Sequence, residues 1–390
     1  MPSFMKTVLP VLAAASTAYG ACSVSGTTTI QNAGDATAMA SCSTFSGSIA
    51  IATGTTDDLA FDGIEKLSGD LIGKNAQMVK RISANKLKEI DGDMNFDGLQ
   101  RLYNIDFPVL KTVNSIVWNA LPVLNTIGFT SVLTKADKID IQNTGLRSLN
   151  NIDVSEAKTI FVANNGYITS VNLQLGNISD AMTFADNNEA LAISLPNLTW
   201  ATNLTFRFVG SLEVPKLETL NGSLGLYNNG FSNFSAPSLT KIGEALAIVA
   251  NDELANLTLS SLTSINDNIQ IANNTKLDAI DGLPVLESIG GAFDFSGNFT
   301  DVSTPKLDDV KGAFNLQSSE NITEACAFYK KLQSQKLIRG KYYCQGALVD
   351  PGTAGSTSSS KNNGKTGAAS TLSAVNGALG LAAMAAVILF

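Results

Sequence analysis

A short apolar–any–apolar unit recurs thirteen times along the chain. Its first residues are Ile49, Leu71, Met94, Ile116, Ile139, Ile160, Met182, Leu204, Leu224, Leu246, Ile269, Phe293 and Phe314. Successive units lie 20 to 24 residues apart. A period of that size is the signature of a solenoid, in which each repeat stacks one rung on its neighbours because no single repeat can bury its own apolar face. Alternation over three residues predicts a short strand with its first and third side chains inward, as for Ile139 and Ile141. The strand centres, among them Asp140, Phe161, Gly225, Gln270, Asp294 and Asn315, then point outward. Asn follows many of these strands, at Asn143, Asn164, Asn187, Asn228, Asn251, Asn273 and Asn298. Stacked one rung apart, these asparagines are candidates for an internal ladder that satisfies loop backbone groups. Two rungs are irregular: Leu71 pairs with Gly73, and Leu204–Phe206 has no matching Asn.

A second segment precedes each strand. Pro-x-Leu occurs at Pro108, Pro122, Pro196, Pro215, Pro237, Pro284 and Pro305, and many repeats continue as Leu239–Ile242 and Leu286–Ile289 do, with a turn after them. Proline at one fixed point of a coil suits a bend or strand start and excludes a helix interior. The pattern therefore predicts strand and loop with few helices. One helix is expected over 324–335, with Ala325, Phe328, Tyr329 and Leu332 on one face.

The ends differ from the repeats. Residues 1–20 carry Lys6, an apolar run from Val8 to Ala15 and small residues near Ala18-Tyr19-Gly20, the layout of a secretory signal. Leu379 to Phe390 is apolar with no charge after it, and is short for a membrane span of about 20 residues. A polar spacer and small residues precede it, as in a GPI attachment signal, with Asn362, Asn363, Gly364 and Gly367 as attachment candidates. Residues 351–376, rich in Gly, Ser, Thr and Asn, read as a flexible stalk. These signals divide the chain into a signal peptide (1–20), an N-terminal cap (21–48), the solenoid (49–320), a C-terminal cap (321–350), a stalk (351–363) and a removed propeptide (364–390).

Secretion favours disulfides. Cys22, Cys42, Cys326 and Cys344 allow three pairings. A solenoid must cap its apolar ends, which favours the local pairs Cys22–Cys42 and Cys326–Cys344. Nine sequons, at Asn177, Asn197, Asn203, Asn221, Asn233, Asn256, Asn273, Asn298 and Asn321, are candidate glycan acceptors, and none precedes Asn177. Asn273 and Asn298 coincide with the ladder position, so a buried ladder would leave both poorly occupied.

The chain has no histidine, which removes Ser-His-Asp and Cys-His mechanisms and His-ligated zinc. No metal or other cofactor is expected. A net charge of -8 argues against a nucleic-acid partner. Carboxylate chemistry remains, and Asp57-Asp58, Asp91/Asp93 and Asp308-Asp309 are candidates by residue type. Asp140 and Asp294, seven rungs apart, would lie about 34 Å from each other, too far to share one bond.

The order of these features resembles the fungal GPI-anchored cell-wall-organisation proteins of the extracellular-mutant/sporulation-specific type. It comprises a signal, paired N-terminal cysteines, repeats such as LPVLESIGGAFDFSGN (Leu283–Asn298), a two-cysteine end, a Ser-rich stalk and a GPI tail. The resemblance covers roughly 20–390. It implies a mainly β, right-handed solenoid of receptor-L-domain, leucine-rich-like repeats, disulfide-capped at both ends. It further implies a glycoprotein at the outer face of the plasma membrane and in the cell wall, with no established catalytic residue. The first functional expectation is a non-enzymatic structural role, held to the membrane through a GPI lipid and partnered by wall polysaccharides or wall proteins. The alternatives are a β-helical polysaccharide-active enzyme and a receptor-like or adhesive module.

Overall fold

The computed structural model describes residues 22–352. The signal segment, the stalk beyond Gly352 and the GPI candidates Asn362, Asn363, Gly364 and Gly367 lie outside the described residues.

The thirteen units pair in one unbroken parallel register. Ile49 lies opposite Leu71, Leu71 opposite Met94 and Met94 opposite Ile116. Ile116, Ile139, Ile160, Met182 and Leu204 continue the column. Leu224, Leu246, Ile269, Phe293 and Phe314 complete it. One further strand extends the sheet at each end: Ser23–Ile30 pairs with Thr44–Ile51, and Tyr342–Gln345 pairs with Phe314–Ser318. Fifteen strands at about 4.8 Å give a rod of roughly 65 Å.

Inside the coil the first and third residues form two apolar columns. Ile139, Ile160, Met182, Leu204, Leu224, Leu246 and Ile269 are buried, as are Trp118, Ile141, Val162, Phe184, Phe206, Leu226 and Ile248. Each such side chain contributes about 1.5–3 kcal/mol by leaving water. The irregular Leu71–Gly73 rung is filled from its neighbours, since Phe96 and Leu99 occupy the space where a Gly73 side chain would stand.

Each coil turns back at corners closed by β-turns. Where proline is present it takes the second position: Leu124 N–H donates to the Leu121 carbonyl across Pro122, and Leu286 to Leu283 across Pro284. There its fixed φ suits the turn and its missing N–H costs nothing. The backs of the coils carry short parallel sheets, such as Ser170–Asn172 with Ala192–Ser194 and Ser211–Glu213.

The buried ladder exists, but one residue later than the sequence pattern suggests. Asn164, Asn228 and Asn273 adopt positive φ (57°, 54° and 57°) and are exposed, and it is the next residue that turns inward. The ladder residues are Thr144, Asn165 and Asn187 in one run, then Asn229, Asn251 and Asn274 in another. Asn251 shows the pattern. Its Oδ1 accepts from the Asn229 backbone N–H at 2.9 Å, and its Nδ2 donates to the Leu226 carbonyl at 3.0 Å. Of the expected members, Asn187 and Asn251 belong to it. Asn143, Asn164, Asn228, Asn273 and Asn298 do not. The shift arises because the strand must leave the sheet through a left-handed residue, which Asn tolerates, before a side chain can point into the coil. Where Phe208 takes the left-handed position (φ 54°), Val209 follows and the ladder is interrupted.

Both ends are capped. Cys22 is bonded to Cys42 and Cys326 to Cys344. At the N-terminal end helix α1 (Ala33–Ala38) is capped by the Asn32 side chain, and Asp57 accepts the Ala33 N–H at 2.9 Å. At the C-terminal end helix α2 (Thr323–Ser334) buries Ala325, Tyr329 and Leu332. Phe328, expected on that face, is instead 36% exposed. At its place Tyr329 fills the end of the core, with its ring 4.8 Å from Phe314 and its hydroxyl 2.9 Å from Thr304 Oγ1.

Candidate functional site

The outer face of the main sheet, the corners and the caps are the surfaces on which function can lie. On the sheet the strand centres point outward as the register requires, yet not all are accessible. Ala50, Asn95, Asp140, Phe161 and Gln270 are half-buried, while Gly225, Ala247, Asp294 and Asn315 are buried. Two overlays cover Gly225, Asp294 and Asn315. The Tyr227 ring lies across Gly225, where any Cβ would collide with it, and the Arg207 guanidinium stacks on that ring at 4.8 Å. Burial raises the Tyr227 hydroxyl above the usual phenol range. Over the last coils the chain folds back. Gly352 N–H donates to Gln317 Oε1 at 2.9 Å, and Asn315 Nδ2 donates to the Gly352 carbonyl at 3.0 Å and to Asp294 at 2.7 Å. Gly352, the last described residue, thus lies on the outer sheet face. No spacing in the sequence marks this strap.

Of the carboxylates singled out by type, Asp57, Asp91, Asp93 and Asp309 hold backbone or neighbouring coils. Lys66 bridges Glu89 and Asp91, each at 3.0 Å, and the two carboxylates line a 170 Å³ depression with Asn114, Lys135 and Asp137. The hydrogen bond to Lys66 holds the Asp91 carboxyl below its ordinary range, and those to Asp91 and Glu89 hold Lys66 above its own. Asp93 accepts from Asn114 Nδ2 at 3.0 Å. Asp309 pairs with Arg339 at 2.8 Å, in the cap opposite Asp57. Asp140 is held by Lys138 and Gln142. Among the described residues no group of three His, Cys, Asp or Glu is placed to hold a metal ion.

The sequon asparagines are spread over several faces of the C-terminal half. Asn221, Asn233, Asn256, Asn273 and Asn321 are exposed, and Asn177, Asn197, Asn203 and Asn298 half-buried. Asn298 is further restricted, because its Nδ2 donates to the Thr275 carbonyl at 2.8 Å. Of the large apolar residues exposed among the described ones, Met78, Tyr103, Val123, Val132 and Tyr167, exposed by 41%, 50%, 45%, 42% and 60%, precede the first sequon, and Phe208, Phe328, Tyr343 and Val349 follow it.

A disulfide-capped parallel β-solenoid with sequon-bearing and sequon-free halves is thus the class of molecule. Comparison places it further. A family model described as "GPI-anchored cell wall organization protein", Ecm33, matches residues 3–40. Protein ecm33 of Aspergillus fumigatus is 37% identical over 92% of this chain and 91% of its own length. A cell surface GPI-anchored protein of Arthroderma benhamiae is 33% identical over 93% of both chains. Cell wall mannoprotein PST1 of Saccharomyces cerevisiae is 30% identical over 83% of this chain and 72% of its own. The chain belongs to the Ecm33 family of GPI-anchored cell wall organization proteins. Its role is structural, at the cell surface and in the wall. No solved structure matches it.

Proposed function

We propose that this protein organises the wall without catalysing a reaction, as a stiff rod that holds partners at a fixed distance from the membrane. The carrying observation is the unbroken register from Thr28 to Tyr342, which makes one body of fifteen strands. Engagement of Asp57, Asp91, Asp93 and Asp309 in local contacts favours this over a carbohydrate-cleaving site, which needs two free carboxylates across one bond. In this reading the signal and propeptide are removed, one of Asn362, Asn363, Gly364 or Gly367 carries the lipid, and glycans occupy the exposed sequons. The sequon-free half, 22–176, faces wall proteins or polysaccharides, because glycans obstruct close approach elsewhere.

Two single substitutions test that assignment. Gln77→Thr and Gln174→Thr each complete a sequon, at the exposed Asn75 and Asn172. Each glycosylated variant, expressed in a deletion strain, is expected to reach the surface and to leave the wall sensitive to wall-perturbing dyes. Normal walls with both sites fully glycosylated would remove the docking half. Turnover of a wall glucan, chitin or mannan by the purified ectodomain would overturn the non-catalytic reading.

A further inference from the structure

The exposed apolar residues of the N-terminal half are not scattered. Ala76–Val79, Leu99–Leu102, Leu121–Leu124 and Asn165–Ile168 are hydrogen-bonded corner turns, the fourth residue donating to the first. Their third residues are Met78, Arg101, Val123 and Tyr167. The strand pairing stacks them, since Arg81 lies opposite Asn104 and Asp106 opposite Gly128, which sets Met78, Arg101 and Val123 one above another. Tyr167 lies two rungs beyond Val123, across the Ile139 coil, whose corner Thr144–Leu146 is buried and adds no exposed member, so Met78 and Tyr167 are four rungs, about 19 Å, apart. Tyr103 stands beside it, next to Lys80 in the coil before. Arg101, Val123, Tyr103, Lys80 and Gln100 surround a depression of ≈ 510 Å³ that contains no carboxylate. Arg147 extends the cationic side, with its guanidinium 5.8 Å from the Tyr167 ring.

The same column in the sequon-bearing half differs in kind. The turns Asn188–Leu191, Asn251–Leu254 and Asn274–Leu277 place Ala190, Glu253 and Lys276 there, and Lys276 pairs with Glu253. That corner is polar and internally neutralised. The N-terminal corner is apolar and aromatic, and among the described residues Lys80, Arg101 and Arg147 have no ion-pair partner, although acidic residues outnumber basic ones by 34 to 26 in the chain.

We propose that the corner built from Met78, Arg101, Tyr103, Val123 and Tyr167 docks an acidic segment of a partner protein. Met, Arg and Tyr are the residues enriched at protein–protein interfaces, where aromatic and guanidinium anchors carry most of the affinity. The unpaired cations select a negative partner and steer its approach. Half-exposed Met78 and Val123 favour peptide side chains over a polysaccharide, whose rings would use the tyrosines alone. The proposal rests on the reading that residues 22–176 face partners, and names where on that half the contact falls.

The test uses the full-length protein on living cells, with a photo-crosslinking amino acid at position 123 and, as control, at position 253. The expected product is a discrete adduct at 123 only, whose crosslinked peptide comes from another protein and is rich in Asp and Glu. Arg101→Glu is expected to cut its yield about tenfold, as loss of an interface anchor does, while surface level and glycosylation stay unchanged. An adduct removed by glycosidases alone, a crosslink to a second copy of this chain, equal labelling at 253, or no adduct at 123 would each overturn the proposal. If those results accompany loss of wall function from a glycan at Asn172, the half docks partners through another face. If the glycans at Asn75 and Asn172 are both silent, the docking half itself falls.

Discussion

Each buried asparagine of the ladder serves two coils at once, which makes it the residue on which stacking is most exposed to change. Asn251→Ala leaves the Asn229 N–H without its acceptor and strips one donor each from the Leu226 carbonyl and from Asn274 Oδ1, in a dry interior. Unsatisfied buried groups cost about 1–3 kcal/mol each and are not additive, so a loss of about 2–4 kcal/mol is expected in denaturant unfolding of the ectodomain. Asn228→Ala, one residue from the ladder partner Asn229, gives up only a preferred left-handed residue and should cost about 1 kcal/mol. A larger loss for Asn228 than for Asn251 would return the ladder to the position the bare sequence suggests. The same one-residue shift changes the glycan forecast. Asn273 is exposed, whereas the Asn298 amide is bonded to Thr275. Glycopeptide mapping should find Asn273 more fully occupied than Asn298, and the reverse order would contradict the placement of both.

At the scale of elements, the C-terminal cap is an aromatic stack closed by a helix and a disulfide. Phe293, Phe314 and Tyr342 lie ring on ring at 4.4 and 5.1 Å, and Tyr329 of α2 packs against the first two. Burial pushes the Tyr342 hydroxyl up to about 12 and raises Tyr329 as well. Both phenols stay protonated in the folded cap at a pH where the unfolded chain, titrating near 10, has lost those protons. The folded state then binds more protons than the unfolded one, so cap stability falls as pH rises from about 10 through about 12. Absorbance of ionised tyrosine, followed with pH in Tyr342→Phe and in the parent, should show one late-titrating phenol removed, and the variant's stability should fall less steeply over that window. Equal slopes would show that Tyr342 is not held in the cap.

As a whole molecule the rod has no core apart from its stack, so its ends decide how readily it opens. Stability in such arrays is nearly a sum over repeats and their interfaces. Cys326→Ser with Cys344→Ser releases α2 from the last strand and, for a loop of 18 residues, should cost about 3 kcal/mol. The loss is expected to be local. Hydrogen exchange should quicken over the last few coils, from about Phe293 onward, and leave Ile139–Met182 protected. Uniform acceleration along the chain would mean that the rod unfolds as one cooperative unit. Close stacking also limits surface change. A Cβ at Gly243 would overlap the Asn221 carbonyl oxygen of the coil beneath, so even alanine there forces the coils apart.

Much of this architecture was legible in the chain because it is a nearest-neighbour property. Ile139 and Ile141 had to face inward for one coil to bury anything, and repeating that demand every 20 to 24 residues sets the register from Ile49 to Phe314 without further information. The prolines and the local cysteine pairs followed from the same coil. What the sequence left open was whatever depends on how the chain leaves a strand or crosses between coils. The left-handed residue that moves the ladder from Asn228 to Asn229 is a backbone event with no unique residue type. The strap that brings Gly352 onto Asn315 and Gln317, the Tyr227 ring lying over Gly225, and the single corner that joins Met78, Arg101, Val123 and Tyr167 all bring together residues about 20 or more apart in the chain or set by side-chain rotamer. Only the stacked structure fixes them, because apolar periodicity records which side faces the core and carries nothing about what meets on the outside.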